Sequence, residues 1–164
     1  MATAPELLWP DVVIRPMRAL DVADVVAIER ASYQFPWSEG IFRDCLRVGY
    51  VCRAALLDGE LIGYGIMSTG AGEAHILNVC VREQLRCRGF GRTILEHLLN
   101  RAAASAASEA YLEVRPSNTA AIRLYQTLGF EPIGVRRGYY QAVGGREDAA
   151  VLRVSLRRRR THAS

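Results

Sequence analysis

With 164 residues, half of them hydrophobic and 23% charged, the chain can bury one core and is too apolar to be disordered throughout. The net charge of +4 is local: without Arg157 to Arg160 it falls to zero, so the body is not a basic nucleic-acid-binding surface. No apolar run reaches the roughly 18 residues of a membrane helix, and "MATAPELLWPD" lacks the basic start and apolar stretch of a secretory signal, so a cytoplasmic protein without membrane attachment is expected.

Val12 to Ile14 reads as a short strand. "ALDVADVVAIERASY" carries Leu20, Val22, Val25, Val26 and Ile28 near helical spacing, with Asp21 at its start. In "QFPWSEGIFRDCL", Pro36 interrupts and Ser38 can cap a short helix through Ile41, Phe42 and Cys45. "YVCRAALLDGELIGYGIMS" is two apolar runs about Asp58-Gly59, a hairpin signal. A further strand is expected from Glu73 to Val81.

A helix from about Arg92 to Ala104 follows, with Ile94, Leu95, Leu98, Leu99 and Ala102 on one stripe. "AYLEV" is a strand. "SNTAAIRLYQTLGF" is a helix capped by Ser117 or Asn118 and ended by Gly129, with Ile122, Tyr125 and Leu128 on one face. "FEPIGVRRGYY" and "EDAAVLRVSL" are two last strands joined through Gly144-Gly145. This order predicts an α+β fold with one mixed central sheet of six to seven strands and about four helices. Residues 1–156 are expected to form the one domain and the basic tail 157–164 to be disordered, with a weak contact to RNA open to it but no nucleic acid required.

Cys45, Cys52, Cys80 and Cys87 form no CxxC pair, and His75, His97 and His162 lie at no metal-ligand spacing. No metal is expected. The cysteines read as reduced and mostly packed. Cys87 stands apart because Arg86 and Arg88 flank it.

The densest signal is "QLRCRGFGRTIL", Gln84 to Leu95: a strand, a turn with two glycines among Arg86, Arg88 and Arg92, then a helix. Free N–H groups and the dipole at a helix start attract phosphate. Glycine lets the main chain approach it. The turn is neither a P-loop, which needs a lysine and a hydroxyl after its last glycine, nor a dinucleotide fingerprint, whose third glycine would fall on Ile94.

"VREQLRCRGFG", Val81 to Gly91, resembles the acetyl-CoA signature of the GNAT N-acetyltransferases, Arg/Gln-x-x-Gly-x-Gly/Ala after a strand. "LEVRPSNTAAIRLYQTLGF", Leu112 to Phe130, resembles the second half of that family's core. "FPWSE", "RRGYY" and "GREDA" are similar to the RimI-type members, which acetylate the N-terminal alanine of a small-subunit ribosomal protein. The resemblance implies the GNAT fold and acetyl-CoA as cosubstrate. It implies that backbone groups of Val79, Cys80 and Val81 hold the pantetheine arm, that the turn Cys87, Arg88, Gly89, Phe90, Gly91 and Arg92 binds the diphosphate, and that Asn118 contacts the pantetheine side.

Acetyl transfer to an amine needs a neutral amine, a stabilised oxyanion and a protonated leaving thiolate. An α-amine titrates near 8, against about 10.4 for lysine, so a modest base suffices for an N-terminus. Glu113 alternates with Leu112 and Val114 and so faces away from them. The resemblance makes it the base, acting through water, and makes Tyr125 the acid. An oxyanion donor is expected from a backbone N–H near Val79 to Val81. "YQFPWSE", Tyr33 to Glu39, with Phe35 and Trp37, on one side and Tyr139 and Tyr140 on the other are candidate aromatic and acidic peptide walls. Arg136, Arg137, Arg146, Glu147 and Asp148 form either an ion-pair cluster or a substrate rim. Two other readings stay open: the same fold acting on a small amine, and a non-catalytic acetyl-CoA-binding partner of the ribosome.

Overall fold

Asp21 accepts two hydrogen bonds from the Arg15 guanidinium, at 2.7 and 2.9 Å, and one from the Arg18 amide at 2.7 Å. This clasp joins strand β1 (Val12–Pro16) to a 3-10 turn (Ala19–Asp21) and helix α1 (Val22–Ser32). The computed structural model describes residues 12–159; "MATAPELLWPD" up to Asp11 and the tail from Arg160 lie outside the described residues. Helix α2 (Glu39–Arg47) starts where the Ser38 hydroxyl accepts from the Ile41 amide. Strands β2 (Val51–Leu57) and β3 (Glu60–Gly70) form the expected hairpin. Asp58 and Gly59 both sit at positive φ, as a two-residue hairpin of this hand requires.

Strand β4 (Glu73–Val81) leads through a 3-10 turn (Glu83–Leu85) to helix α3 (Phe90–Ala104). The helix begins two residues before the expected Arg92. Gly89 at φ 89° takes the left-handed cap position, and the Phe90 side chain is already in the core. Strand β5 (Glu109–Val114), helix α4 (Thr119–Thr127) and strands β6 (Glu131–Ala142) and β7 (Gly145–Ser155) complete the described chain. The Asn118 side chain caps α4 by accepting from the Ala121 amide. Leu156 is buried beyond β7, and Arg159, in the turn after it, donates to Asn100 on α3.

The seven strands form one sheet in the order β1-β2-β3-β4-β5-β7-β6, in which only β4 and β5 run parallel. Each face carries its own core. Val22, Val25 and Ile28 of α1 and Phe42 of α2 pack on one side. The stripe Ile94, Leu95, Leu98, Leu99 and Ala102 of α3 packs on the other. Each such leucine contributes about 1.5–3 kcal/mol on burial. A Cβ at Gly65 would lie 2.8 Å from Leu98 Cδ1, so the bare backbone there lets α3 seat closely on β3.

Of the register shifts in the sheet, two bear on the site, one at its centre and one in its last hairpin. On β4, Ile66 of β3 pairs with Asn78 while Met67 pairs with Ile76, leaving Leu77 as an extra, bulged residue. On β6, pairing jumps from Arg136–Ala149 to Tyr140–Glu147, leaving a bulge around Gly138.

Candidate active site

The β4–β5 ladder runs from Glu73–Glu109 to Ile76–Leu112 and stops. The next residue, Leu77, is the bulge that bends β4 away. The two parallel strands therefore part at the centre of the sheet, and the edge of β4 beyond Ile76 has no strand beside it. Arg82 donates to the Ile62 carbonyl, so the even-numbered residues of this stretch face β3. The main-chain groups of Val79 and Val81 face the gap. The Val79 carbonyl accepts from the Tyr33 hydroxyl at 3.2 Å, and the Val81 carbonyl from Arg86 Nε at 3.1 Å. Cys80 is placed differently: its backbone turns to Tyr64 on β3 and its side chain is buried in the core.

The glycine turn lies at the end of this edge. Cys87 and Gly89 have φ of 62° and 89°. Nothing lies within 4 Å of a Cβ built on Gly89, and one on Gly91 meets only Leu124 and Val81 at ordinary contact distance. The protein itself leaves this surface open to a ligand, in keeping with a phosphate cradle at a helix start. Two of the three arginines have work within the fold. Arg86 holds the Val81 carbonyl, and Arg92 donates to Thr127 on α4 at 2.8 Å. Arg88 and Cys87 are exposed. All four cysteines are free, and Cys45, Cys52 and Cys80 are buried. Among the described residues no group of three or more His, Cys, Asp or Glu could hold a metal ion, and no helix is long and apolar enough to cross a membrane.

Between the parted strands opens a cavity of about 460 Å³. It brings together Glu113 and Tyr125, Val79 and Asn118, and Phe35, Trp37 and Tyr140. Glu113 stands near the end of β5, where alternation sets Leu112 and Val114 into the core and the carboxylate on the other face. Only 7% of its side chain is exposed. Burial pushes its pKa up, but the hydrogen bond and charge of His75, the charge of Arg136 and the Tyr139 hydroxyl outweigh burial and hold it below the ordinary carboxylate value. His75 Nε2 lies 2.6 Å from Glu113 Oε1, and Arg136 Nε lies 3.9 Å from Oε2.

Tyr125 stands on α4 with its ring edge-on to Phe130 at 5.8 Å. Burial pushes its phenol up to about 12, so it keeps its proton throughout the neutral range. On the same cavity wall Glu29, 2% exposed, accepts from the Tyr64 hydroxyl at 2.5 Å, Asn78 Nδ2 at 2.9 Å and the Trp37 amide at 2.8 Å.

At the mouth, the Arg115 guanidinium lies 4.4 Å from the Tyr140 ring centre and 5.9 Å from that of Phe35. It also donates to Glu147 at 3.1 Å. Arg115 thus ties the loop after α1 to the β6–β7 hairpin across the opening. Tyr139 is not part of the cavity lining; its ring stands edge-on to Tyr140 at 4.9 Å and its hydroxyl serves Glu113. The charged group of the last hairpin divides by role. Arg146 donates to the Gly138 carbonyl and Asp148 accepts from the Gly138 amide, fixing the bulge. Glu147 faces the cavity, and Arg136 approaches Glu113.

His75, Glu29 and Arg115 escape the sequence reading, whereas Tyr33 lines the cavity as part of the expected wall. Glu29 leaves a usable trace, since it follows Val25 and Val26 at helical spacing and so falls on the apolar stripe. His75 leaves none, because its partner is set by the register between two strands 30 or more positions apart.

The Acetyltransferase (GNAT) family matches residues 22–130. The chain belongs to this family. Over 143 residues it is 33% identical to the ribosomal protein bS18-alanine N-acetyltransferase of Escherichia coli K12, covering 87% of this chain and 97% of that one. The crystal structure of the ribosomal-protein-S18-alanine N-acetyltransferase from Escherichia coli superposes with a TM-score of 0.83 at 32% identity, over 88% of this chain and 94% of that one. The GNAT fold also aligns, at a TM-score of 0.75 and 22% identity over 88% of each chain, with a phosphinothricin acetyltransferase from Sinorhizobium meliloti in complex with AcCoA. The parted β4 and β5 and the glycine turn are thus parts of a GNAT acetyltransferase, in an α+β fold of the kind its sequence predicts.

Proposed function

We propose that this enzyme transfers the acetyl group of acetyl-CoA to the N-terminal alanine of a small-subunit ribosomal protein, with Glu113 as base and Tyr125 as acid. The observation that carries the reading is the meeting of a buried, ionised carboxylate and a half-buried, protonated phenol in one cavity between parted strands. The substrate class follows the Escherichia coli enzyme, whose length the chain matches almost entirely.

Acetyl-CoA supplies the acetyl thioester. Its fit is supported by the open β4 edge at Val79 and Val81 and by the turn from Cys87 to Arg92, where main-chain N–H groups and Arg88 can meet a diphosphate. Asn118, at the start of α4, borders the same cavity. The Val79 and Val81 N–H groups are the candidate oxyanion donors, because they point into the gap.

The cavity also suits a cationic amine. Glu29, Glu113 and Glu147 line it, and Arg115 is paired to Glu147. About a tenth of α-amines are neutral at pH 7, so the base need only assist; Glu113, held below its ordinary pKa, is ionised and able to accept a proton, though as a weak base. Phe35, Trp37 and Tyr140 give the first residues of the peptide apolar walls. The reaction needs no metal. The work is done by residues 1–156 as one domain, in the cytoplasm where ribosomal proteins are made. The arginine-rich residues 157–164 add long-range attraction to ribosomal RNA rather than chemistry.

The test is acetylation of a short peptide beginning with alanine, against the same peptide with a blocked N-terminus and an internal lysine, and against small amines. Intact-mass measurement should find one acetyl group on the free N-terminus alone. Preferential acetylation of a small amine, or acetyl-CoA binding without transfer to any acceptor, would sink the reading.

A further inference from the structure

His75 and Glu113 sit on adjacent parallel strands, with Tyr111 the direct neighbour of His75 and Glu113 two residues further along. The histidine reaches diagonally across the ladder. Its Nε2 comes within 2.6 Å of Glu113 Oε1, at the last place where β4 and β5 remain paired. An ionised carboxylate only accepts, so the ring nitrogen facing it carries the hydrogen. Arg136 at 3.9 Å is too far to hydrogen-bond. His75 from β4 is therefore the close donor opposite the charged and hydroxyl groups of Arg136 and Tyr139 from β6.

Glu113 stays paired to Val151 of β7, but on the β4 side it emerges one residue past the last ladder pair, so no β4 residue stands directly beside it to fix the carboxylate. A hydrogen bond from the paired part of the sheet restores one orientation. We propose that His75 is a positioning residue for acetyl transfer: through Nε2–H it fixes the Glu113 carboxylate, so that its proton-accepting geometry is set before substrate arrives. This rests on the reading of Glu113 as base. His75 does not border the cavity; it acts through Glu113 and touches neither substrate.

The experiment is a double-mutant cycle on the full chain, with acetyl-CoA and an N-terminal-alanine peptide. His75→Leu keeps bulk and removes the donor, and should lower kcat about tenfold, the scale of one lost charge-assisted hydrogen bond. The KM for acetyl-CoA should not move. His75→Gln, whose side-chain amide can reach the same oxygen, should recover most of the rate. In a Glu113→Gln background, His75→Leu should add almost nothing, because two residues acting as a unit are not additive.

Wild-type kcat in His75→Leu, or an undiminished further loss in the Glu113→Gln background, would overturn the inference while leaving Glu113 as base. Wild-type kcat in Glu113→Gln itself would overturn the base reading and this inference together, a distinct outcome. If thermal melts show His75→Leu unfolded, His75→Gln against His75→Asn replaces it: the longer amide should retain rate and the shorter should not, and equal rates would overturn the proposal.

Discussion

Glu29 on α1 and Asn78 on β4 are joined by a hydrogen bond of 2.9 Å, in which the amide donates to carboxylate Oε1. Asn78 is the first residue after the bulge that parts β4 from β5. The same oxygen accepts from Tyr64 on β3, and Oε2 accepts from the Trp37 amide in the loop after α1. One buried carboxylate thus fixes the bent strand and the aromatic loop to each other. Glu29→Leu strands three donors, the Tyr64 hydroxyl buried and the Asn78 amide and Trp37 N–H half-buried. It should destabilise the fold by about 3 kcal/mol or more, since each unsatisfied buried group costs on the order of 1–3 kcal/mol. Glu29→Gln keeps an acceptor and should cost less. Urea unfolding decides it; a Glu29→Leu midpoint equal to wild type would show that the network carries no stability.

The glycine turn separates backbone strain from ligand clearance. Gly89 at φ 89° resists any side chain, so Gly89→Ala should lower stability by about 1 kcal/mol. Gly91 has ordinary φ and room for a methyl group within the protein. Gly91→Val should therefore melt near wild type yet bind acetyl-CoA far more weakly, because its branches occupy the approach to the main chain. Arg88→Ala should weaken binding less. Calorimetric titration beside thermal melts ranks them; a Gly91→Val protein with unchanged acetyl-CoA affinity would remove the turn from the binding site.

The elements were legible because each rests on local chemistry. Ser38 and Asn118 cap, Asp58-Gly59 turns, and the α3 stripe repeats at helical spacing. The glycine turn was legible too, since its strand–turn–helix context is contiguous. What was not legible depends on register. The Leu77 bulge, the end of the β4–β5 ladder and the His75–Glu113 contact arise from how distant strands align, and no residue nearby announces them. Cys80 illustrates the limit within one strand. A stretch of three residues points to the gap as a whole, but pleating turns only Val79 and Val81 toward it and sends the main chain of Cys80 to β3.

Arg115 is a specificity test for the peptide side. Its planar guanidinium stacks over Tyr140 and pairs with Glu147, a combination a lysine cannot reproduce. Arg115→Lys keeps the charge and loses the stack. The expected result is a KM for the peptide raised several-fold to about tenfold, matching a cation–π contact of about 0.5–2 kcal/mol. Both kcat and acetyl-CoA affinity should stay near wild type. An unchanged peptide KM would mean that the bridge across the mouth is not part of peptide binding.

Glu113→Gln keeps shape and removes the proposed base; Tyr125→Phe keeps the ring and removes the proton of the proposed acid. Each should cut kcat about a hundredfold or more, the range for a lost general base or acid. Acetyl-CoA affinity should hold, because neither side chain is at the glycine turn. The pH dependence separates them. Glu113 is held below the ordinary carboxylate value, so in wild type it is ionised at every pH from 6 to 9 and its own titration adds no limb there. Tyr125, pushed up to about 12, is protonated over the same range. The rise in wild-type rate between pH 6 and 9 should then follow the substrate amine, which titrates near 8. Raising the pH supplies neutral amine without a base, so the Glu113→Gln defect should shrink toward pH 9. The Tyr125→Phe defect should stay constant, since the departing thiolate still lacks its donor. Parallel pH–rate profiles of the three proteins decide the matter. A Glu113→Gln defect that stays constant to pH 9 would assign Glu113 to binding or shape rather than proton transfer, and a Tyr125→Phe defect that vanishes there would take the acid role from Tyr125.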